Sequence, residues 1–331
     1  MSEQPLSQVF VGGTGRSGTT IAGQILGEHG QIWFTSPPEM RFITDPKGLL
    51  DLVQGAGSRV EYGPAKYAAA GKTGRLWLRK TALVARESLK PAAKRRRVED
   101  TNLDDFVERM LTHWWRWTGP DGHRRGFHRG LKRPEVETAV ANFREAFSAN
   151  PEAAARTLVS EMIDPAARRQ GALTWVDTTP TNGENAARIN RLLPDAKLIH
   201  MIRDGRDTVS SLMTRPWGPT QPMEGLEWWR QRVLRSHVAI GLCPPEQTLT
   251  MVMEDLVTFN RDPELKRLFN FLGYDPDESV LRYFSEQVNA DQGHQGRWRK
   301  GFPADLLPKF ERRYAEIHRE LSDLGLPLPP L

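Results

Sequence analysis

Residues 9–29 read VFVGGTGRSGTTIAGQILGEH, and the architecture of the chain follows from how this stretch folds. The apolar run at residues 9–11 predicts a buried strand, which the following glycines end. From Thr19 onward apolar residues recur at helical spacing, which predicts that a helix begins there. A strand, a glycine-rich loop and a helix in this order direct backbone N–H groups and a helix N-terminus towards one point. The stretch therefore predicts a loop that binds an anion.

The glycines of this loop have the spacing of a P-loop. Gly13 and Gly18 occupy the two glycine positions, and Thr19 stands where P-loop NTPases have the lysine that reaches the outer phosphates. Arg16 lies inside the loop, and its guanidinium can bind an oxyanion through two parallel hydrogen bonds. The pattern favours a cradle for one phosphate or sulfate over a triphosphate with magnesium. On these residues alone, an ordinary glycine-rich turn is the alternative.

A second motif lies at residues 198–211, LIHMIRDGRDTVSS. Its continuously apolar first part predicts a strand in a parallel sheet that is covered on both faces. Arg203 stands at the carboxyl end of this strand, where open α/β sheets bind ligands. Asp204 fits the N-cap of the next helix, and Ser211 lies about two turns into that helix. The alternative is a helix-capping ion pair that binds no ligand.

These two motifs resemble those of a known enzyme family. Residues 15–20, GRSGTT, are similar to the 5′-phosphosulfate loop of sulfotransferases that use 3′-phosphoadenosine 5′-phosphosulfate (PAPS). Arg203 and Ser211 match the arginine and serine that bind the 3′-phosphate in that family. Arg297 resembles the basic residue of the family's C-terminal loop, which closes over the same phosphate. The cofactor-binding residues that the resemblance implies are Gly15, Arg16, Ser17, Gly18, Thr19, Thr20, Arg203, Ser211 and Arg297.

A third motif, Glu39-Met40-Arg41, follows a second short strand that we predict at residues 31–34. On the residues alone, Glu39 is either a base for an attacking hydroxyl or a solvated residue at a helix start, where its charge suits the helix dipole. The motif resembles the Glu-x-Arg of the tyrosylprotein sulfotransferase branch and its bacterial relatives, whose glutamate is the catalytic base. The resemblance therefore implies that Glu39 is the general base and that Arg16 is the second catalytic residue.

One position departs from the family pattern. The strand predicted at residues 173–176 ends in a turn that resembles the family's Lys-x-Pro, but Thr178 stands at the lysine position. In relatives that lysine helps to stabilise the sulfuryl oxygens. We therefore expect Arg16 to supply more of the stabilising positive charge here.

The composition narrows the class of protein. A hydrophobic content of 38%, with no apolar run of membrane-span length, indicates a soluble globular protein. The first residues do not resemble a signal peptide, and the single cysteine, Cys243, cannot form an intramolecular disulfide, so we expect a cytoplasmic protein. The net charge of +5 suits a polyanionic small ligand as well as nucleic acid. The eight histidines lack the spacing of metal ligands, so no metal site is expected.

The segment around residues 51–164 predicts mostly helix. It contains basic runs at residues 94–97 and 123–125, and the aromatic cluster HWWRW at residues 113–117. Interleaved arginine and tryptophan can bind single-stranded nucleic acid, but such patterns are more often a solvated face and a packed core. We expect an insertion that shapes the acceptor pocket, and no nucleic-acid partner.

Together the motifs predict an α/β, P-loop-like three-layer fold in a single domain over residues 1–331. Its centre would be a parallel sheet of about five strands with helices on both faces. The resemblance implies a metal-independent sulfotransferase that moves the sulfuryl group of PAPS to an acceptor hydroxyl or amine by in-line displacement, releasing adenosine 3′,5′-bisphosphate. A P-loop kinase or NTPase and a nucleic-acid-binding protein are the rival interpretations. The acceptor (small molecule, sugar, lipid or peptide) and the oligomeric state stay open.

Overall fold

A parallel five-stranded sheet forms the centre of the molecule. The computed structural model describes residues 6–55, 92–119, 122–289 and 295–331, with the backbone alone for residues 92–100. The strands are β1 (Ser7–Gly13), β2 (Ile32–Phe34), β3 (Trp117–Thr118), β4 (Arg124–Arg125), β5 (Thr174–Asp177), β6 (Lys197–Ile202) and β7 (Thr248–Val252). The order in the sheet is β2-β5-β1-β6-β7, and every neighbouring pair is parallel. The short strands β3 and β4 pair separately as an antiparallel hairpin.

Helices form most of the connections between the strands. Asp204 caps one of them as predicted, since its Oδ1 accepts a hydrogen bond from the backbone N–H of Arg206 at 2.7 Å. The helices are α1 (Thr19–Gly27), α2 (Leu49–Gln54), α3 (Ala92–Leu111), α4 (Arg133–Phe147), α5 (Pro151–Arg169), α6 (Ala186–Leu192), α7 (Gly205–Met213), α8 (Pro222–Gly241), α9 (Arg261–Leu272), α10 (Glu278–Gln287), α11 (Trp298–Gly301) and α12 (Leu307–Asp323).

Both faces of the sheet are buried, as the apolar strands require. On β1, Phe10 lies on one face, where its ring meets that of Trp175 edge-on at 5.3 Å, whereas Val9 and Val11 lie on the other. Helices α2 to α6 cover the face of Phe10, and α1, α9 and α10 cover the opposite face. Each of these large apolar side chains contributes about 1.5–3 kcal/mol through its burial. The predicted three-layer α/β fold is confirmed.

Because the five strands are parallel, their carboxyl ends lie at one edge of the sheet. The register places Phe10 of β1 opposite Asp177 of β5, and Gly13 opposite Met201 of β6. The glycine loop that follows β1 therefore leaves the sheet between the segments that follow β5 and β6. Both sequence motifs with anion-binding character emerge at this edge.

The structure contradicts the alternative of a helix start at Glu39, and it describes only part of the segment at residues 51–164. Glu39 precedes a series of turns rather than a helix start, and the next helix, α2, begins at Leu49. The backbone beside Glu39 is bonded to the end of β5 instead of to a helical turn of its own. Within residues 51–164 the described part is mostly helical, but it includes the hairpin of β3 and β4, and residues 56–91 lie outside the description.

The basic run at residues 94–97 falls in α3, where only the backbone is described. The assignment of one domain to the whole chain stays a prediction. None of the helices in the described ranges combines the length and the apolar character that crossing a membrane requires.

Candidate active site

The glycine loop between β1 and α1 is tightly wound. Gly15, Arg16 and Gly18 all have left-handed backbone angles, with φ of 79°, 60° and 91°. For Arg16 this conformation is strained, and such strain is concentrated at functional sites. A Cβ atom on Gly13 would lie 2.3 Å from the Ser17 hydroxyl and 2.6 Å from the carbonyl of Met201, so no larger residue fits there.

Two polar features of the loop point to a ligand. The Ser17 side chain is completely buried, and its hydroxyl has no hydrogen-bond partner among the described residues. A buried polar atom without a partner is costly, and an occupied anion site is one way to satisfy it. Helix α1 begins at Thr19 with no side-chain cap on its first turn. Its N-terminal N–H groups therefore face the loop, as an anion-binding helix end requires.

The structure brings Arg16, Arg203 and Ser211 together in one hydrogen-bonded chain. The guanidinium Nη1 of Arg203 donates to the backbone carbonyl of Arg16 at 2.8 Å, and the Nε of Arg16 donates to the Ser211 hydroxyl at 2.9 Å. Arg203 is 4% exposed. The two anion sites that the sequence predicts are thus adjacent, and a residue of the second site holds the backbone of the first.

Charged groups of both signs surround this chain. Partial burial lowers the pKa of Arg16, and the charges of Arg215 and Arg203 lower it further, whereas Glu39 acts in the opposite direction. Burial also lowers the pKa of Arg203, whereas Asp207, Glu254 and Asp204 raise it and Arg297 lowers it. These influences show that Arg215 and Arg297 lie within electrostatic reach of the site. Sequence reasoning found Arg297 but missed Arg215, which lies just beyond α7 and belongs to no motif.

The loop that carries Arg297 is anchored to α7. The backbone N–H of Gly296 donates to the Asp207 carboxylate at 2.8 Å, and Trp298 is almost completely buried. Arg297 itself is exposed. This arrangement leaves the Arg297 side chain accessible while its backbone is fixed.

Glu39 lies between two backbone groups that β5 holds. On its N-terminal side, the carbonyl of Pro38 accepts hydrogen bonds from the N–H of Thr178 at 2.9 Å and from the Thr178 hydroxyl at 3.0 Å. On its C-terminal side, the N–H of Met40 donates to Oδ1 of Asp177 at 2.7 Å. The N–H and the hydroxyl of Thr178 thus both bind the segment that carries Glu39. The Thr178 side chain therefore does not take the place of the family's lysine at the candidate anion site.

The carboxylate of Asp177 accepts several hydrogen bonds next to Glu39, and the sequence analysis assigned this residue no role. Its Oδ1 also accepts from the N–H and hydroxyl of Thr179 at 3.2 and 2.8 Å, and its Oδ2 accepts from the Asn182 amide at 2.8 Å. The side chain is completely buried, which raises its pKa, although the hydrogen bonds oppose that rise. The only sequence signal for this role is a carboxylate at the carboxyl end of a buried strand.

The environment of Glu39 favours its protonated form. Burial raises the pKa of its carboxyl, and Asp177 and Asp45 raise it further, whereas Arg41 and Arg125 lower it. A raised pKa is typical of a carboxylate that acts as a general base near neutral pH. Arg125 comes from the hairpin of β3 and β4, so this hairpin lies on the Glu39 side of the site.

His200 lies on β6 and is buried. Burial lowers the pKa of His200 to about 3, so its imidazole is neutral. Among the described residues, no group of three or more His, Cys, Asp or Glu side chains could hold a metal ion.

The protein thus has an α/β fold in which a glycine-rich loop, two arginines and a carboxylate lie at one edge of a parallel sheet. A sequence model of the sulfotransferase family matches residues 8–278. The chain belongs to the sulfotransferase family, and this membership supports an enzyme that transfers a sulfuryl group from a donor to an acceptor.

Solved structures of bacterial sulfotransferases are similar to the chain over most of its length. The sulfotransferase domain from the curacin biosynthetic pathway is 15% identical, with a TM-score of 0.48, over 99% of this chain and all of that domain. The domain from the Synechococcus PCC 7002 olefin synthase is 17% identical, with a TM-score of 0.46, over 99% and 98%. STF9 from Mycobacterium avium is 13% identical, with a TM-score of 0.41, over 95% and 77%. No curated protein matches significantly.

Proposed function

We propose that this sulfotransferase uses PAPS as its sulfuryl donor and that Glu39 is the general base for an acceptor hydroxyl or amine. PAPS supplies the sulfuryl group and a phosphate leaving group, so that adenosine 3′,5′-bisphosphate is the second product. The observation that carries the proposal is the hydrogen bond from Arg203 to the carbonyl of Arg16. It joins two cationic sites side by side, and a nucleotide with separate 5′ and 3′ charges needs two such sites.

The residues fit this donor. On the 5′ side, the N–H groups of residues 15–20, the buried Ser17 hydroxyl and the Arg16 guanidinium would bind a phosphosulfate. On the 3′ side, Arg203 and Ser211 would bind the second phosphate, and Arg297 would reach it from the anchored C-terminal loop. A larger residue at Gly13 would fill the loop, which explains the need for glycine there.

Glu39 would take the proton from the acceptor hydroxyl as that oxygen attacks sulfur. Its position is determined by backbone contacts on both sides, at Pro38 and Met40. A preorganised base of this kind accelerates the reaction about 10²–10⁴-fold. Arg16 would neutralise the negative charge that grows on the leaving phosphate in a loose transition state. Burial, rather than a neighbouring acid alone, gives Glu39 its raised pKa and hence its strength as a base.

Titration calorimetry with nucleotides tests the donor. We expect adenosine 3′,5′-bisphosphate to bind at least about tenfold more tightly than AMP, which corresponds to about 1.4 kcal/mol. Arg203→Ala and the less invasive Arg297→Ala should each reduce this preference. Arg299→Ala is the matched control, because Arg299 is an exposed arginine two positions after Arg297 whose guanidinium stacks on Trp298. Equal affinity of the wild-type protein for the two nucleotides would contradict the proposal.

An acceptor screen with ³⁵S-labelled PAPS tests the reaction itself. Incorporation of label into at least one hydroxyl or amine acceptor is expected. Nucleotide binding that is independent of the 3′-phosphate, together with magnesium-dependent turnover of ATP, would favour a P-loop kinase or NTPase instead.

A further inference from the structure

An aromatic and cationic cluster lies beside Glu39 and has no role in donor binding. It consists of Arg41, His113, Trp117 and Arg125. The guanidinium carbons of Arg41 and Arg125 lie 5.5 and 5.3 Å from the centre of the Trp117 ring. The His113 ring stacks on the same tryptophan at 6.4 Å, with an angle of 22° between the planes. Two guanidinium groups from distant parts of the sequence thus meet at one indole.

The cluster is on the acceptor side of the site rather than on the donor side. Arg41 and Arg125 both act on the charge of Glu39, whereas the charges that act on Arg16 come from Arg215, Arg203 and Glu39. The surface is also accessible. Trp117 and Arg125 are partly exposed, and 35% of the Arg41 side chain is exposed. The cluster is therefore open to a molecule that binds beside Glu39.

Further charged groups surround the cluster. Arg109 lies close enough to His113 to lower its pKa, after burial, and Arg41 lowers it as well. Among the described carboxylates near these groups, Asp45 accepts from the Nε of Arg41 at 3.1 Å, and Asp105 pairs with Lys47 at 3.8 Å. Glu39 is the proposed base itself. Arg41, Arg109 and Arg125 are thus accompanied by Asp45, Asp105 and Glu39, and two of the three arginines contact Trp117.

Arg41 and Arg125 weaken Glu39 as a base, because both stabilise its ionised form. An anion that bound the arginines would screen them and restore the basicity of Glu39 at the moment when the acceptor is in place. Arginine is suited to that task, since its planar guanidinium binds carboxylate, phosphate or sulfate through paired hydrogen bonds. The Trp117 ring would contact the apolar part of the same molecule.

We infer that the acceptor carries an anionic group, a carboxylate, phosphate or sulfate, near the hydroxyl that reacts, and that Arg41 and Arg125 bind this group beside Trp117. The inference rests on the proposed function, because it takes Glu39 as the base. It identifies the acceptor class as hydroxy acids or their phosphorylated or sulfated counterparts.

Binding to the enzyme saturated with adenosine 3′,5′-bisphosphate tests the inference without turnover. We would titrate three matched pairs by calorimetry: 4-hydroxyphenylacetate and its methyl ester, 3-hydroxybutyrate and its amide, and glycerol 3-phosphate and glycerol. At least one anion should bind about tenfold or more tightly than its uncharged partner, the difference expected of one charge-assisted hydrogen bond to a buried or half-buried site. Arg125→Gln should remove most of that preference.

Arg124→Gln is the matched control, because Arg124 is the exposed neighbour of Arg125 in β4 and should keep the preference. Arg41→Gln is a second variant at the site, for use if Arg125→Gln unfolds in a thermal melt. Equal affinity within all three pairs, or the same loss in Arg124→Gln and Arg125→Gln, would overturn the inference. The proposed function fails separately, by a lack of preference for the 3′-phosphate and a lack of transfer from labelled PAPS. Equal transfer to anionic and neutral acceptors would overturn only the acceptor class.

Discussion

The buried carboxylate of Asp177 connects the fold to the chemistry of Glu39, and Asp177→Asn separates its two effects. The substitution keeps an oxygen that can accept from the N–H of Met40, so the backbone next to Glu39 stays in place. It removes the negative charge and turns the second oxygen into an amide that faces the amide of Asn182, where a hydrogen bond of 2.8 Å now exists. The variant should therefore be less stable and should have an altered pH profile.

The magnitudes follow from these contacts. Loss of one charge-assisted hydrogen bond in a buried network costs about 1.5–3 kcal/mol of unfolding free energy. Removing a buried charge recovers part of that cost, so we expect a net loss of about 1–2 kcal/mol. The charge of Asp177 raises the pKa of Glu39. Its removal should lower that pKa, and the acidic limb of kcat/KM should move to lower pH, because Glu39 must be ionised to accept a proton.

The assay is kcat/KM for transfer from labelled PAPS between about pH 5 and about pH 9, beside urea unfolding. Asp164→Asn is the control. Asp164 is also buried and accepts from the N–H of Leu6 and the indole N–H of Trp175, both at 3.1 Å, but it does not act on the charge of Glu39. Its replacement should reduce stability and leave the acidic limb in place. The reasoning would be refuted if the acidic limb did not move in Asp177→Asn, or if it moved by the same amount in both variants.

Two further predictions concern carboxylates at the same edge. Glu39→Gln should leave the affinity for adenosine 3′,5′-bisphosphate unchanged and lower turnover of an alkyl alcohol by about 10²–10⁴-fold. Turnover of an acidic nitrophenol should fall much less. Near-normal turnover of the alcohol would place the base elsewhere. Burial raises the pKa of Glu254 from 4.5 to about 7, so its contribution to stability is complete below pH 4.5 and is lost as the pH rises towards 7. Glu254→Gln keeps an acceptor for the N–H of Asp204 and cannot ionise. Above pH 7 the variant should therefore exceed the wild type in unfolding free energy by about 1–3 kcal/mol. This gain in stability should vanish at about pH 4. Guanidinium unfolding at the two pH values checks this, and a gain independent of pH would contradict it.

The sequence predicted those parts of the site that local patterns encode. The apolar run before Gly13, the helical spacing after Thr19 and the cap at Asp204 each depend on a few neighbouring residues, and each appears in the structure as expected. The continuous apolar character of β6 predicts its place in a parallel sheet. Arg203 could be predicted as a ligand-binding residue because it stands at the carboxyl end of this strand.

The remaining features depend on contacts between distant segments. Asp177 and Met40 are 137 positions apart, and no pattern near either residue predicts their hydrogen bond. The same holds for Arg41 and Arg125, which meet at Trp117 only because the hairpin of β3 and β4 returns to the sheet edge. The alternative of a helix start at Glu39 was wrong for this reason, since the end of β5 binds the backbone there.

The central position of β1 has a consequence for synthesis of the protein. Its neighbours in the sheet are β5, which begins at Thr174, and β6, which begins at Lys197. On a ribosome, the glycine loop emerges well before Arg203, which holds its backbone and follows 187 positions after Arg16. Until then the apolar side chains of β1 have neither of their neighbouring strands, and a nascent chain in that state is a substrate for chaperones or a source of aggregation. The glycine loop is therefore synthesised before the residue that completes its hydrogen bonds.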